Sequence, residues 1–132
     1  MIYTKDNPKL VENVFRFKGI KTFTGFVKDN NLIIHYVNGK IHREDGHAIE
    51  EIYGGRKKWW LNDDRHREDG PAVEDVDEKE WWLNGKRHRE DGPAYEDCGG
   101  FKSWYLNNER HGVNDEFTNE SWIKFIALIL LK

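Results

Sequence analysis

The sequence predicts a mainly β fold in which tandem antiparallel β-hairpin repeats form one elongated, curved sheet, followed by a short C-terminal helix. Three observations support this prediction. The string His-Arg-Glu-Asp-Gly occurs three times, at residues 42–46, 66–70 and 88–92. Each copy follows a run of aromatic and aliphatic residues ending in Asn, which is typical of a strand entering a turn. The chain then ends in an apolar stretch outside the repeats.

The 132 residues are expected to form a single repeat domain with three segments. Residues 1–34 are interpreted as hairpin material in which the repeat has decayed, with phenylalanines and isoleucines between turn-forming Gly and Asn residues. Residues 35–115 hold four repeats of about 23 residues. Residues 116–132 are expected to form a helix that caps the array.

The four repeats align on their first strand. The aligned segments are His35-Tyr36-Val37-Asn38, Trp59-Trp60-Leu61-Asn62, Trp81-Trp82-Leu83-Asn84 and Trp104-Tyr105-Leu106-Asn107. The fourth copy keeps His111 but continues with Gly112 where the others have Arg. We interpret it as a degenerate closing repeat, since a terminal unit lacks one neighbour.

Each repeat is expected to form a hairpin with an irregular tip. Asn38-Gly39 and Asn84-Gly85 are strong turn dipeptides, because both residue types tolerate positive φ. The glycines that close the loops are expected to recur for the same backbone reason. They are Gly46, Gly70 and Gly92. Pro71 and Pro93 then suit the first residue of the next strand, where a missing amide donor costs least.

Two aromatic columns are expected, because successive side chains of a strand point to opposite faces. We predict that the first column lies in the core: His35, Trp59, Trp81 and Trp104. The second column is the better candidate for a partner-binding surface, since exposed apolar patches mark interaction sites. It consists of Tyr36, Trp60, Trp82 and Tyr105. In the alternative, the C-terminal helix or the N-terminal segment covers this second column.

The C-terminal run at residues 122–131 is apolar except for Lys124. A helix of that length extends about 15 Å, half of a roughly 30 Å hydrocarbon core, so no transmembrane segment is expected. Asn119, Glu120 and Ser121 are candidate caps. The helix is interpreted as a cover for the sheet, with an oligomerisation or partner-docking helix as the alternative.

One repeat, residues 82–92, carries in order aromatic rings, Asn-Gly, basic residues, His and a later Gly. This order resembles the MORN repeat family, in particular its divergent variants. MORN units have Gly directly after His, a dipeptide that only His111-Gly112 keeps here. The resemblance implies hairpins aligned in an elongated, curved sheet and a role in assembling proteins or attaching an assembly to a membrane. Divergent repeats of this kind are similar to small proteins of phages and large DNA viruses.

Three interpretations of the loop residues compete. In the first, the loops are structural: Asp caps the turn, Arg pairs with a carboxylate of its own or the next repeat, and His donates to a loop carbonyl. A structural turn requires the same residues in every unit. The residues assigned to this role are His42, Asp45, Gly46, His66, Asp69, Gly70, His88, Asp91, Gly92 and His111.

The second interpretation is recognition of a partner protein along the row of loops. Trp, Tyr and Arg dominate binding hot spots, and all three recur in this chain. The loop arginines Arg43, Arg67 and Arg89 therefore join the second aromatic column as candidate partner-binding residues.

The third interpretation is chemistry, for example by a metal-dependent hydrolase, because His and Asp lie three residues apart in each loop. This pair recurs in three equivalent places, whereas a catalytic site normally converges once from non-equivalent positions. No base can be assigned to Cys98 from the sequence. We therefore expect no enzyme activity, no catalytic residue, no metal site and no cofactor.

Composition narrows the class of partner. The 21 basic and 24 acidic residues give a net charge of −3, so binding to the nucleic acid backbone is not expected. The single cysteine, Cys98, is consistent with a reducing cytoplasm. Unpaired sheet edges and the apolar helix permit a homo-oligomer.

These observations favour a cytoplasmic, non-enzymatic module for protein–protein interaction. The viral resemblance adds the hypothesis of a phage accessory or anti-defence inhibitor that occupies a host protein in the host cytoplasm. A membrane-surface adaptor using the C-terminal segment is a further alternative. The sequence offers little positive charge for binding an anionic membrane, because Lys124 and Lys132 alone make no polybasic stretch.

Overall fold

The computed structural model describes residues 9–10 and 14–130, and within them it contains fifteen strands and one α-helix. The strands are β1 (Lys9–Leu10), β2 (Gly25–Lys28), β3 (Leu32–Val37), β4 (Lys40–Ile41), β5 (Ile49–Glu51), β6 (Arg56–Lys58), β7 (Trp60–Leu61), β8 (Asp64–Arg65), β9 (Val73–Glu74), β10 (Glu78–Glu80), β11 (Trp82–Leu83), β12 (Lys86–Arg87), β13 (Tyr95–Asp97), β14 (Lys102–Leu106) and β15 (Glu109–Val113). The helix α1 comprises Asn119–Leu130, and 3-10 helices comprise Val14–Phe17 and Asn114–Glu116.

Eleven of these strands form one open sheet in the order β1-β2-β3-β5-β6-β9-β10-β13-β14-β15, with β4 added beside β3. Every pairing between neighbours is antiparallel except that of β1 with β2. The strands β7 and β8, and likewise β11 and β12, form separate two-stranded hairpins, which we call the tip hairpins. The predicted mainly β fold, with an antiparallel hairpin sheet and a C-terminal helix, is confirmed.

The first tryptophan of each middle repeat marks the point where the chain leaves the main sheet for a tip hairpin. The amide of Trp59 still donates to the Ala72 carbonyl of the main sheet at 2.7 Å, and Trp60 already pairs within the tip hairpin. Trp81 makes the equivalent bond to Ala94 at 2.7 Å. Each middle repeat therefore has a body in the main sheet and a tip that projects from it.

The tip turns have the backbone that the sequence predicted. Asn84 and Gly85 have φ values of 50° and 75°, and Asn62 and Asp63 have values of 49° and 68°. Positive φ at both central residues is the requirement of a type I′ turn, whose twist matches that of paired strands. The Asn that recurs at each tip is therefore explained by its tolerance of left-handed backbone.

A hydrophobic cluster covers the N-terminal part of the sheet. The predicted hairpin material is present as β2 paired with β3, but Val14–Phe17 forms a 3-10 helix that the sequence did not predict. Tyr36 is 1% exposed, and its hydroxyl donates to the Val14 carbonyl at 2.6 Å. The buried members of this N-terminal cluster are Val14, Phe17, Phe23, Val27, Ile34, Tyr36, Ile41, Ala48 and Ile49.

A second cluster joins helix α1 to the last hairpin. Trp122 is fully buried, its ring centre lies 5.5 Å from that of Trp104, and its Nε1 donates to the Arg89 carbonyl at 2.8 Å. The helix begins at Asn119 and is capped by Thr118, which exchanges hydrogen bonds with Ser121, so of the predicted caps only Ser121 takes part. The C-terminal cluster consists of Trp104, Trp122 and Ile126, with Leu106, Phe117 and Phe125 packed against it.

The middle of the sheet has very little apolar core. Between residues 50 and 100, the buried hydrophobic side chains are Ala72, Val73 and Ala94. The prediction that the first aromatic column lies in the core is correct only for Trp104, because His35, Trp59 and Trp81 are half-buried. A single-layer sheet has no second layer to cover these rings, so other interactions must hold the middle repeats together.

Candidate functional site

The repeated loops are built around an arginine that folds back over its own glycine. In the loop at residues 66–70, Arg67 Nε donates to Asp69 Oδ1 at 3.0 Å and Nη1 donates to the Pro71 carbonyl at 3.1 Å. The guanidinium also lies over the Trp59 ring, 3.8 Å from its centre. A cation above an aromatic face contributes about 1 kcal/mol, and the bonds to Asp69 and Pro71 fix its position.

The next loop repeats these contacts closely. Arg89 Nε donates to Asp91 Oδ1 at 2.8 Å, Nη1 donates to the Pro93 carbonyl at 3.1 Å, and the guanidinium lies 3.8 Å from the Trp81 ring centre. In the first loop, Arg43 keeps the bond to Asp45, at 2.9 Å. The carboxylate pairing predicted for the loop arginines is therefore observed in all three loops.

The loop glycines recur for a reason that the sequence did not reveal. Gly46, Gly70 and Gly92 do not have positive φ, so the predicted backbone reason is wrong. A Cβ atom on Gly70 would lie 3.0 Å from Cζ of Arg67, and one on Gly92 would lie 2.6 Å from Cζ of Arg89. Glycine leaves the space that the folded-back guanidinium fills.

The loop histidines join each repeat to the next. The Asn84 amide donates to Nδ1 of His66 at 2.9 Å, and the Arg67 amide donates to the Trp82 carbonyl at 3.1 Å. His42 and His88 accept in the same way, from the backbone amides of Asn62 and Asn107 in the tip turns of the following repeats. The prediction that these side chains donate to a loop carbonyl is therefore wrong, since their Nδ1 atoms accept an amide proton.

The second aromatic column forms a stack with arginines from the tip hairpins, which we call the ring–arginine ladder. Arg65 lies between Trp60 and Trp82, with its Cζ 5.5 Å and 5.1 Å from the two ring centres. One repeat further on, Arg87 lies 5.1 Å from Trp82 and 5.3 Å from Tyr105. The ladder spans the middle repeats on one face of the tips and takes the place of an apolar core.

The ladder is anchored to the main sheet by a buried carboxylate. Glu80 is 6% exposed, and its Oε1 accepts from Arg87 Nη2 at 2.6 Å. Its Oε2 accepts from Arg56 Nη2 at 3.3 Å. A buried carboxylate held between two guanidiniums is fully paired, so it stabilises the arrangement that keeps Arg87 between its rings.

The loops border three clefts, which we call the loop clefts. The first, of about 710 Å³, lies between the loop at residues 42–46 and strands β2 and β3. The second, of about 660 Å³, lies between the first two loops, and Trp59 and Leu61 form its floor. The third, of about 480 Å³, lies between the second and third loops, and Trp81 and Leu83 form its floor. His35, Trp59 and Trp81 of the first aromatic column thus line clefts, whereas Trp104 lies in the core.

Carboxylates dominate the exposed rims of the loop clefts. The six acidic side chains of the loops are 61 to 87% exposed, whereas the guanidiniums beneath them are 19 to 24% exposed. Burial lowers the pKa of His47, which replaces proline in the first loop and meets the Trp59 ring edge-on at 5.6 Å. The rim carboxylates are Glu44, Asp45, Glu68, Asp69, Glu90 and Asp91.

The predicted partner-binding residues do not form one surface. Tyr36 is buried in the N-terminal cluster, so it offers no contact surface, and for this ring the alternative holds in which the N-terminal segment covers the second column. Trp60, Trp82 and Tyr105 are half-buried within the ladder. The arginines of the loops are held by their own aspartates, so their guanidiniums support the clefts from below.

His111 does not join the row of loop histidines. It lies in strand β15, and its ring centre is 5.9 Å from Trp122 and 5.4 Å from Phe125. The fourth repeat continues as a strand where the others form a loop, so its histidine packs beneath the helix. The cleft floors and the loop glutamates were missed as candidate residues, although their recurrence in each aligned repeat is visible in the sequence.

In the described part of the chain, no group of three His, Cys, Asp or Glu side chains is placed to hold a metal ion. The loop histidines are spread along the sheet, one to each loop. Cys98 is exposed, in the turn between β13 and β14, with its Sγ 3.8 Å from Asp77 Oδ1. No helix among the described residues is long and apolar enough to cross a membrane.

No family model, no curated protein and no solved structure matches this chain.

Proposed function

We propose that this chain is a non-enzymatic protein-interaction module built from MORN-like repeats, and that it binds its partner through the loop clefts. The observation that carries the proposal is the set of three clefts bordered by the loops, each lined by apolar side chains and by charged residues of the loops. Indole rings in partly enclosed sites, rimmed by polar groups, have the composition of interface hot spots.

The loops suit this role because they are held rigid before any partner arrives. Each loop is fixed by its own arginine, by backbone bonds to the next repeat and by the acceptor histidine. A surface that is already ordered loses little conformational entropy on binding. The structural interpretation of the loops and the recognition interpretation are therefore compatible, since one set of residues builds the loops and another faces the partner.

Site-specific photo-crosslinking tests this proposal directly. A photoreactive amino acid at Glu68, on the cleft rim, is compared with one at Val76, which is 88% exposed in a turn outside the clefts. Position 68 should give a discrete adduct with one protein in source-cell extract, and position 76 should not. Binding of that purified protein should then weaken when Glu68 and Glu90 are both replaced by Gln. Adducts of equal yield at both positions would count against the clefts.

The viral resemblance extends the proposal to inhibition of a host protein by occlusion of its surface. Activity of the crosslinked partner, measured with and without this chain, examines that extension. If a saturating concentration of this chain left the partner's activity unchanged, the proposed function would be assembly and not inhibition.

A second candidate function is attachment to a membrane surface through α1. Its outer face carries exposed apolar side chains, with Ile123 at 51%, Leu128 at 66% and Leu130 at 72% exposure. Amphipathic helices bind at the lipid interface by burying such side chains. Co-sedimentation with anionic vesicles should be lost on replacing these three residues with Ser, and equal sedimentation of the variant and the wild type would remove this candidate.

A further inference from the structure

We propose that the loop clefts bind a basic segment in the polyproline II conformation, with Lys or Arg at every third residue. This inference rests on the proposed function and names the chemistry of the partner. It is carried by three features of the clefts: the charge of their rims, the nature of their floors and their spacing.

The rim charge selects a cation. Each loop contributes one glutamate and one aspartate to the solvent-facing edge, while its single guanidinium lies below and is stacked on a ring in the second and third loops. Among the described residues, each loop glutamate contacts the histidine of its own loop, at 3.4 to 3.7 Å, and no arginine or lysine. Their oxygens are therefore free to accept from a partner's ammonium or guanidinium group.

The cleft floor suits the stem of a long basic side chain. Trp81 and Leu83 line the third cleft, and Trp59 and Leu61 line the second, in each case beside the folded-back arginines of the two bordering loops. Lys and Arg bury their methylene stems against apolar surface while the charged group stays at the polar rim. A basic side chain therefore satisfies both parts of each cleft, whereas an acidic or a short polar one does not.

The spacing of the clefts selects the conformation of the partner. Each repeat contributes two strands to the main sheet, so neighbouring clefts are about 10 Å apart. The ladder sets a compatible upper limit, because Arg65 Cζ lies 5.5 Å and 5.1 Å from the ring centres of adjacent repeats, so those centres are at most about 11 Å apart. A polyproline II helix rises about 3.1 Å per residue with three residues per turn, so every third side chain returns to the same face about 9 Å further on.

Other peptide conformations fit less well. In an extended strand, side chains three residues apart point to opposite sides, so they cannot enter clefts on the same surface. In an α-helix, side chains three or four residues apart share a face but lie only about 5–6 Å apart along the axis. Side chains seven residues apart match the spacing at about 10.5 Å, but the helix is about 10–12 Å wide, which holds its backbone away from the loops. A slender polyproline II segment also loses little entropy on binding, as in aromatic-lined grooves that bind proline-rich peptides.

The experiment compares synthetic peptides of equal length, of which the first two also have the same composition. The probe carries Lys at every third position in a proline background, and the reference carries the same lysines at every second position. Isothermal titration at low ionic strength should show about tenfold tighter binding of the probe. A third peptide, a helix with lysines seven residues apart, should also bind more weakly than the probe.

Protein variants supply the second comparison. Glu44→Gln, Glu68→Gln and Glu90→Gln together should weaken probe binding at least about tenfold, because each removes one rim charge. A charge-matched control, Glu109→Gln, Asp115→Asn and Glu120→Gln, alters exposed residues outside the clefts and should bind like the wild type. Denaturant unfolding of both variants verifies that the fold is retained.

Equal affinity for the two lysine spacings, tighter binding of the helical peptide, or equal losses in both triple variants would each overturn the inference. Its failure is distinguishable from failure of the proposed function. A partner crosslinked from position 68, combined with no preference for the three-residue spacing, would retain the interaction module and reject the polyproline II ligand.

Discussion

The two ends of the sheet and its middle are held together by different forces. At the ends, buried side chains form hydrophobic clusters, around Tyr36 on one side and Trp122 on the other. In the middle, half-buried rings alternate with guanidiniums, and backbone bonds join each repeat to the next. The difference shows how a single-layer sheet manages without a continuous core: polar stacking connects the repeats, and apolar covers protect the two ends.

The largest expected effect comes from removing the apolar cover at the C-terminal end. Trp122→Ala should lower the free energy of unfolding by about 4 kcal/mol, because it leaves a cavity against Trp104 and removes the bond to Arg89. Urea denaturation measures the loss. Leu128→Ala is the matched control on the exposed face of the helix and should change stability by less than about 0.5 kcal/mol. A similar loss in both variants would contradict the role given to the C-terminal cluster.

The next largest effect on stability is expected at Arg87, and it is compared with that at Arg65, the other arginine of the ladder. Arg87→Ala should cost about 3 kcal/mol of unfolding free energy, because it removes the closer partner of the buried Glu80. Arg65→Ala removes a guanidinium from an equivalent place between two rings, but in the described residues it has no carboxylate within ion-pair distance, so about 1 kcal/mol is expected. Equal losses would mean that stacking, and not the carboxylate, anchors the ladder.

An alkaline titration compares the ionisation of Tyr36, at the N-terminal end of the sheet, with that of Tyr95 in the middle. Burial, with a smaller contribution from the charge of Asp63, raises the pKa of Tyr36 from 10.0 to about 12. Because the pKa is raised on folding, this stabilisation is complete below pH 10 and is lost as the pH rises from 10 through 12, by about 3 kcal/mol in total. Tyr36→Phe should flatten this part of the stability curve, at a cost of about 1 kcal/mol near neutral pH for the lost hydrogen bond.

Tyr95 in the middle is the comparison for Tyr36. Burial and the neighbouring Glu78 raise its pKa to about 12 as well, but its ring is partly exposed, so Tyr95→Phe should flatten the curve less. Stability measured by denaturant unfolding between pH 9 and pH 12.5 provides the test. An unchanged alkaline slope in Tyr36→Phe would show that the hydroxyl does not report on the N-terminal cluster.

The smallest effect concerns a tip turn. Asn84→Ala should cost about 1 kcal/mol, because Asn84 has a φ of 50° and Ala tolerates left-handed backbone less well than Asn. Asn84→Gly keeps both this conformation and the amide donor to His66, so it should be close to neutral. The thermal midpoints of both variants measure the difference. Equal midpoints would contradict the role given to the positive φ, because both variants keep the backbone amide that donates to His66.

The hairpins and turns were predictable because their causes are local. Alternation of side chains, the Asn-Gly dipeptides and the recurrence of one loop string all act within about ten residues of the chain. The loop arginines were expected to pair with a carboxylate of their own or the next repeat, and they pair within their own loop, where Asp lies two residues after each Arg. The acceptor role of His66 was not predictable, because its donor comes from the next repeat, 18 residues away.

The position of the candidate site could be predicted only in part. The row of loops was among the predicted docking surfaces, but the rings that line its clefts, Trp59 and Trp81, were assigned to the core. Alternation of side chains tells which rings share a face, and it carries no information about what lies above that face. The wrong assignment follows from expecting a second layer that the middle repeats do not have.

One residue pair shows that equivalent positions in the sequence can differ in burial. Tyr36 and Trp60 occupy the same place in their repeats, and the pattern that aligns them is clear from the residue order. Tyr36 is nevertheless buried beneath an N-terminal 3-10 helix, while Trp60 is half-buried beside Arg65. Strand pairing and turn type follow from short-range stereochemistry, so the chain specifies them locally. Burial depends on which distant segment packs over a ring, so it is settled only when the whole molecule has folded.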